Sequence, residues 1–156
     1  PAIYERLTGM EYLNFIGDVY GVVKKDRLDR IGKWLEIFEL SQAVSSPIQS
    51  YSHGMKQKIV LIAALLPAPQ VMVMDEPMVG LDPRASHYLK ELMREHCDQG
   101  KTLFFSTHIM EVAEKLCDRI GIINKGKLIA CGTMEELRRL AKEQSLEHIF
   151  LDLTEK

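Results

Sequence analysis

Val71-Met72-Val73-Met74 is a short unbroken apolar run that ends on two adjacent acids, Asp75 and Glu76, followed by Pro77. A run this short, without polar alternation, suits a strand buried on both faces, as in a parallel sheet covered by helices. Both acids then sit at the strand's C-terminal mouth, where open α/β sheets hold their ligands. A carboxylate there is desolvated unless something positive joins it, and Mg²⁺ with phosphate is the common solution. In nucleotide hydrolysis the first acid, Asp75, would hold the metal, directly or through water. The second, Glu76, would orient or deprotonate the attacking water. Taken alone, two acids after a strand serve equally well as helix caps.

The neighbouring segments bear on that choice. Gly80-Leu81-Asp82-Pro83 follows within a few residues, with Asp82 and Pro83 reading as the cap and first turn of a helix. Thr102–Ser106 is a second apolar strand, and Thr107-His108 comes directly after it. His108 is therefore expected on the same sheet edge as Glu76, where a neutral imidazole can donate to a phosphate oxygen or a bound water. A histidine after a strand is also commonly a cap or a surface residue. Upstream, Tyr51-Ser52-His53-Gly54 opens a helix. A serine hydroxyl with unpaired N–H groups at a helix N-terminus makes an anion site, and serine there is equally an ordinary N-cap.

The rest of the chain organises around these segments. Thr8 and Glu11 form a capping box, and Leu13, Ile16 and Tyr20 recur at helical spacing as far as Gly21. Tyr12, Phe15 and Tyr20 are expected in the core, the alternative being that they partly face a docked partner. A second helix is predicted over about 26–40, with Ile31, Leu35 and Phe38 on one face, then a loop at 44–52. A third spans about 54–66 and is stopped by Pro67 and Pro69. After the first strand come a helix from Asp82 to about Gly100, a helix over 109–116 and a strand over 119–123. Asn124-Lys125-Gly126 then turns into a strand at 127–130. Thr133 and Glu136 cap a helix running to about Lys142, and Ile149–Leu153 reads as a final strand. Helices first, then alternating strands and helices, suggest a helical subdomain at 1–68 and an α/β portion at 69–156.

Charge and composition exclude some functions. With 20 Lys+Arg against 22 Asp+Glu the 156-residue chain has a formal net charge of −2, so it lacks the basic footprint of a protein that coats nucleic acid. No apolar run approaches the roughly 18–20 residues of a membrane span, so the chain is expected to be soluble. Cys97, Cys117 and Cys131 are odd in number and form no CxxC pair, which points to a reducing compartment and three buried or half-buried thiols. His96-Cys97 lacks partners at ligand spacing, so no zinc site is expected.

Together, and in this order, the segments resemble the ATP-binding subunit of ABC transporters. Asp75-Glu76-Pro77 after its apolar run resembles the Walker B motif with the catalytic glutamate. Gly80-Leu81-Asp82-Pro83 resembles the D-loop, Thr107-His108 the switch histidine, and Tyr51-Ser52-His53-Gly54-Met55-Lys56-Gln57 the signature motif. Asp118-Arg119-Ile120, the Asn124–Lys127 hairpin and Gly132-Thr133 also fit, so the likeness runs nearly end to end. It implies part of a P-loop NTPase-like α/β fold, with ATP and Mg²⁺ as cofactors and ATP hydrolysis as the activity. Glu76 and His108 would be catalytic, Asp75 would hold the metal, and Ser52, His53, Gly54 and Asp82 would contact nucleotide. The implied partners are a second ATP-binding subunit and a membrane-spanning subunit at the cytoplasmic face of a membrane, with no nucleic acid.

Two departures from the family pattern matter. Tyr51, His53 and Met55 replace the first, third and fifth residues of the usual Leu-Ser-Gly-Gly-Gln, while Ser52 and Gly54 are retained. That spelling, with the tail Leu146–Phe150, resembles exporters of drugs, antibiotics or sodium. A phosphate loop of the form G-x-x-x-x-G-K-[ST] is absent from the 156 residues. In the family it lies N-terminal to every motif present here. The expectation is therefore a C-terminal piece of the subunit, inactive by itself and exposing apolar sheet edges. The rival readings are a soluble ABC-type ATPase of DNA repair, chromosome or translation work, and a truncated non-catalytic regulator.

Overall fold

The computed structural model describes residues 3–141 and 145–154. They group into two compact units, one up to Ser106 and one from Thr107 onward.

The first unit opens with helix α1 (Gly9–Val19), whose capping box forms as the sequence suggests. The Thr8 hydroxyl accepts the Glu11 N–H at 3.2 Å, and the Glu11 carboxylate accepts the Thr8 N–H at 2.8 Å. These bonds from Thr8, the backbone N–H first, hold the Glu11 carboxyl below its usual range. Helix α2 (Lys24–Ile37) is clasped to α1 by Arg27. Its guanidinium donates to the Asp18 carboxylate at 2.5 Å and to the carbonyls of Val22 and Asn14 at 3.0 and 3.2 Å. Gly17 makes room for it, because a Cβ there would lie 2.4 Å from Arg27 Nε. Helix α2 stops earlier than expected, with Phe38 as its cap and Glu39 in the left-handed region at φ +57°.

A 3-10 turn at Ile48–Ser50 interrupts the segment expected as loop, and helix α3 (His53–Leu65) follows it. Leu13, Ile31, Phe38, Ile48, Ile59, Ile62 and Leu66 are almost wholly buried and form the core of this helical part. Of the three aromatics expected in the core, only Tyr12 is buried. Phe15 is 41% exposed and Tyr20 65%, because they lie off the α1 stripe that contacts α2 and α3.

Strand β1 (Val71–Asp75) pairs in parallel with β2 (Thr102–Ser106), in a register that sets Asp75 opposite Ser106. Helix α4 (Pro83–Asp98) connects them, as a parallel crossover requires. The expectation that β1 is buried on both faces is wrong. Met72 and Met74 are buried, but Val71 is 60% and Val73 75% exposed, and Phe104 on β2 is 66% exposed. Helices cover only one face of this two-stranded sheet, so the alternation of the pleat decides which side chains are dry. His96, near the end of α4, is buried and its Nε2 faces the Thr102 carbonyl at 3.3 Å.

The second unit contains α5 (Met110–Leu116), the antiparallel hairpin β3 (Ile120–Asn124) and β4 (Lys127–Gly132), α6 (Met134–Ala141) and α7 (Leu146–Thr154). Lys125 and Gly126 both have positive φ, as a tight two-residue hairpin loop needs. Thr133 and Glu136 form the expected capping box. The predicted extension of α6 to Lys142 lies outside the described residues.

Ile149–Leu153 is helical rather than a strand. Leu146, Ile149, Phe150 and Leu153 recur at helical spacing and pack onto the cluster of Ala113, Ile122 and Leu137, while the Ser145 hydroxyl accepts the His148 N–H at 3.3 Å. The thiols also need a correction. Cys97 and Cys117 are half-buried, but Cys131 is exposed, since it falls on the outward positions of β4. Among the described residues no helix is long and apolar enough to cross a membrane.

Candidate functional site

The two acids sit where β1 ends, and a residue of β2 ties them together. The Ser106 hydroxyl donates to Asp75 Oδ1 and accepts the Glu76 N–H at 3.1 Å. Beyond Asp75 the chain leaves the strand sharply. Glu76 has φ +45°, a conformation that costs a non-glycine residue about 1–3 kcal/mol and persists only where its surroundings enforce it. Its carbonyl accepts the Val79 N–H at 3.1 Å, closing a turn over Pro77 and Met78. Asp75 is exposed, Glu76 is half-buried, and Glu76 Oε2 is shielded from solvent.

That turn leads to Gly80, which meets the start of α3. Gly80 has φ +81°, and a Cβ there would lie 2.7 Å from Cδ2 of His53. Conversely, a Cβ on Gly54 would lie 2.8 Å from the Gly80 carbonyl oxygen. The serine-led turn and the glycine turn after the acids thus interlock within one unit. Ser52 caps α3, its hydroxyl accepting the Met55 N–H at 3.2 Å; Ser52 and His53 are exposed, while Gly54, Met55 and Lys56 are half-buried. Such a helix N-terminus presents N–H donors and a positive dipole end.

Tyr51 points away from this surface. It is 6% exposed, donates to the Ala43 carbonyl at 2.8 Å and fills the space above Gly9, and burial pushes its hydroxyl pKa up. Asp82 caps α4 by accepting the Ala85 N–H at 2.9 Å, and it pairs with Lys58 of α3 at 2.7 Å. The hydrogen bond from Lys58, then the one from Ala85, hold its carboxyl below the usual carboxylate range. Its carboxylate therefore braces α3 against α4.

His108 belongs to the second unit and is exposed, two residues beyond the end of β2. Just before it, the Thr107 hydroxyl accepts the Ile109 N–H at 3.1 Å, shaping the turn into α5.

The donor set suits Mg²⁺ with a nucleotide phosphate. Asp75 offers a hard carboxylate oxygen at the exposed end of β1. No group of three His, Cys, Asp or Glu among the described residues is arranged to hold a metal ion by itself. A hard cation here would take most of its shell from phosphate and water, as Mg²⁺ does.

Sequence reading missed three participants. Ser106 carried a signal, since a hydroxyl at the end of the strand adjacent to the acids is positioned by register alone. Lys58 and the His53–Gly80 contact carried none, because both depend on the packing of α3 against the turn before α4.

Comparisons with known proteins point to one family. A family model described as "AAA domain, putative AbiEii toxin, Type IV TA system" matches residues 15–114, more than half of the chain. The linearmycin resistance ATP-binding protein LnrL of Bacillus subtilis is 39% identical over 136 residues, covering 87% of this chain and 44% of that protein. The ABC-type transporter ATP-binding protein EcsA of the same organism is 36% identical over 156 residues, covering 99% and 63%. A solved ATP-binding subunit of an ABC transporter superposes with a TM-score of 0.93 at 36% identity, covering 98% of this chain and 65% of that one. The chain thus spans between about two fifths and two thirds of the lengths of these relatives.

Proposed function

The chain belongs to the ABC transporter ATP-binding proteins, and from that premise we propose that it supplies the hydrolytic and signature residues of an ATP-driven transport subunit. The carrying observation is the Asp75–Ser106–Glu76 arrangement at the end of β1.

In this reading Asp75 holds Mg²⁺, and Glu76 positions or deprotonates the attacking water. His108 donates to the transferred phosphate or that water. The metal's contribution, when bound, is to neutralise charge on the phosphate oxygens. Ser52, His53 and Gly54 offer donors to the γ-phosphate of a nucleotide held mainly by a second subunit, and Asp82 in the adjoining turn is a further nucleotide contact. Two copies would therefore close around ATP and part after hydrolysis, moving a membrane-spanning partner at the cytoplasmic face. A relative named for linearmycin resistance favours export as the direction. We retain 1–68 as the signature-bearing subdomain and 69–156 as the part carrying the acids. Without a phosphate loop among them, the 156 residues alone would lack most of the β- and γ-phosphate donors and would turn over no ATP.

Glu76→Gln in the full-length protein tests the reading. It should abolish turnover, by about 100-fold or more if Glu76 is the general base, while calorimetry still detects Mg-ATP binding. Undiminished steady-state hydrolysis would overturn it.

A further inference from the structure

We propose that Ser106 is a positioning residue for the catalytic glutamate, an inference that rests on the function proposed above. Asp75 and Ser106 are opposed in the parallel register, so their side chains leave the same end of neighbouring strands. The serine hydroxyl has one proton and two lone pairs. Its proton goes to Asp75 Oδ1, and a lone pair accepts the Glu76 N–H. One oxygen thus reads both acids, one through its charge and the other through its backbone.

This matters because of where Glu76 sits. The β1–β2 ladder ends at Asp75 and Ser106, and the φ of +45° at Glu76 turns the chain out of β1 immediately after it. The Ser106 hydroxyl supplies the acceptor that the ladder no longer provides. A backbone held this way fixes the starting direction of the Glu76 side chain. The charge-assisted bond to Asp75 fixes in turn the rotamer of the hydroxyl, so that its lone pair, and not its proton, faces Glu76. Without Ser106, Glu76 loses one of the contacts that enforce its strained conformation. A displacement of about 1 Å at a general base is enough for a rate loss on the order of 100-fold.

The test compares Ser106→Ala and Ser106→Thr in the full-length protein. Readouts are kcat and KM for ATP, calorimetric affinity for Mg-ATP, and the thermal midpoint. Ser106→Ala should lower kcat by about tenfold or more and leave Mg-ATP affinity within about threefold, since the loss falls on orientation rather than binding. Ser106→Thr, which restores the hydroxyl, should recover most of kcat. If Ser106→Ala does not fold, Ser106→Cys replaces it, keeping the size but offering a weak donor and acceptor, and the same loss of kcat is expected. A kcat within about twofold of the unaltered protein in the folded hydroxyl-free variant overturns the proposal, as does equal loss in the Thr and hydroxyl-free variants. Failure of the unaltered protein to bind Mg-ATP is a separate result, which overturns the function proposed above and this inference with it.

Discussion

The imidazole of His53 occupies the space that a Cβ on Gly80 would need, with Cδ2 2.7 Å and Nε2 2.9 Å from that position. Where the family's usual signature has a glycine, this chain has a ring, and the turn after the acids has a glycine to receive it. The exchange gives the segment carrying Ser52 a direct steric hold on the segment carrying Glu76.

Gly80→Ala should therefore be costly for two separable reasons. The residue has φ +81°, and the new methyl would collide with His53. A loss of about 1–3 kcal/mol is expected. In a His53→Gly background the same substitution should cost less, leaving the backbone strain alone. Urea unfolding of the four proteins in the cycle measures the coupling. Strict additivity of the two substitutions would show that the ring and Gly80 do not constrain each other.

The one-sided burial of β1 predicts unequal tolerance along the strand. Met74 is 8% exposed and Val73 75%. Met74→Ala should destabilise this chain by about 2–4 kcal/mol through lost burial and a residual cavity. Val73→Thr should stay within about 0.5 kcal/mol, because its side chain is already in water. Denaturant midpoints of the two variants settle the point, and equal losses would mean that both faces are packed.

Asp82 gives a pH dependence with a definite sign. Lys58 and the Ala85 N–H depress its folded pKa below the unfolded value of about 3.9. Its contribution to stability is therefore fully present above that value and is lost as pH falls through the folded one. The carboxylate is nearly half exposed, so the contribution is no more than about 1 kcal/mol. Asp82→Asn keeps a capping acceptor but carries no charge. The stability gap between it and the unaltered chain should shrink as pH falls from about 4 toward 2.5, in urea midpoints measured across that range. A gap that stays constant would assign Asp82 a capping role alone.

Much of the fold was legible from local signals. Thr8 with Glu11, Asp82 with Pro83, and Asn124-Lys125-Gly126 each specify a boundary through neighbours in sequence, and each boundary lies within a residue or two of its expected position. The failures share a cause. Ile149–Leu153 read as a strand because a short apolar run is compatible with either period, and only the packing of Leu146 and Ile149 onto the second unit's core selects the helix. Phe15 and Tyr20 read as core because aromatic character says nothing about which side of α1 meets another helix.

The chemistry divides in the same way. Sequence by itself determined which groups are present and on which side of each element they begin: two carboxylates after an apolar run, a serine before a helix, a histidine past the next strand. Only the tertiary structure decided which of them are joined. The parallel register brings Ser106 to both acids, α3 delivers Lys58 to Asp82 and His53 to Gly80, and helices on one face alone leave Val73 wet while Met74 is dry. Spacing along a chain sets local geometry through a few torsions, whereas contacts between residues some 30 positions apart, such as Ser106 with Glu76 or Gly80 with His53, exist only once separate elements have packed.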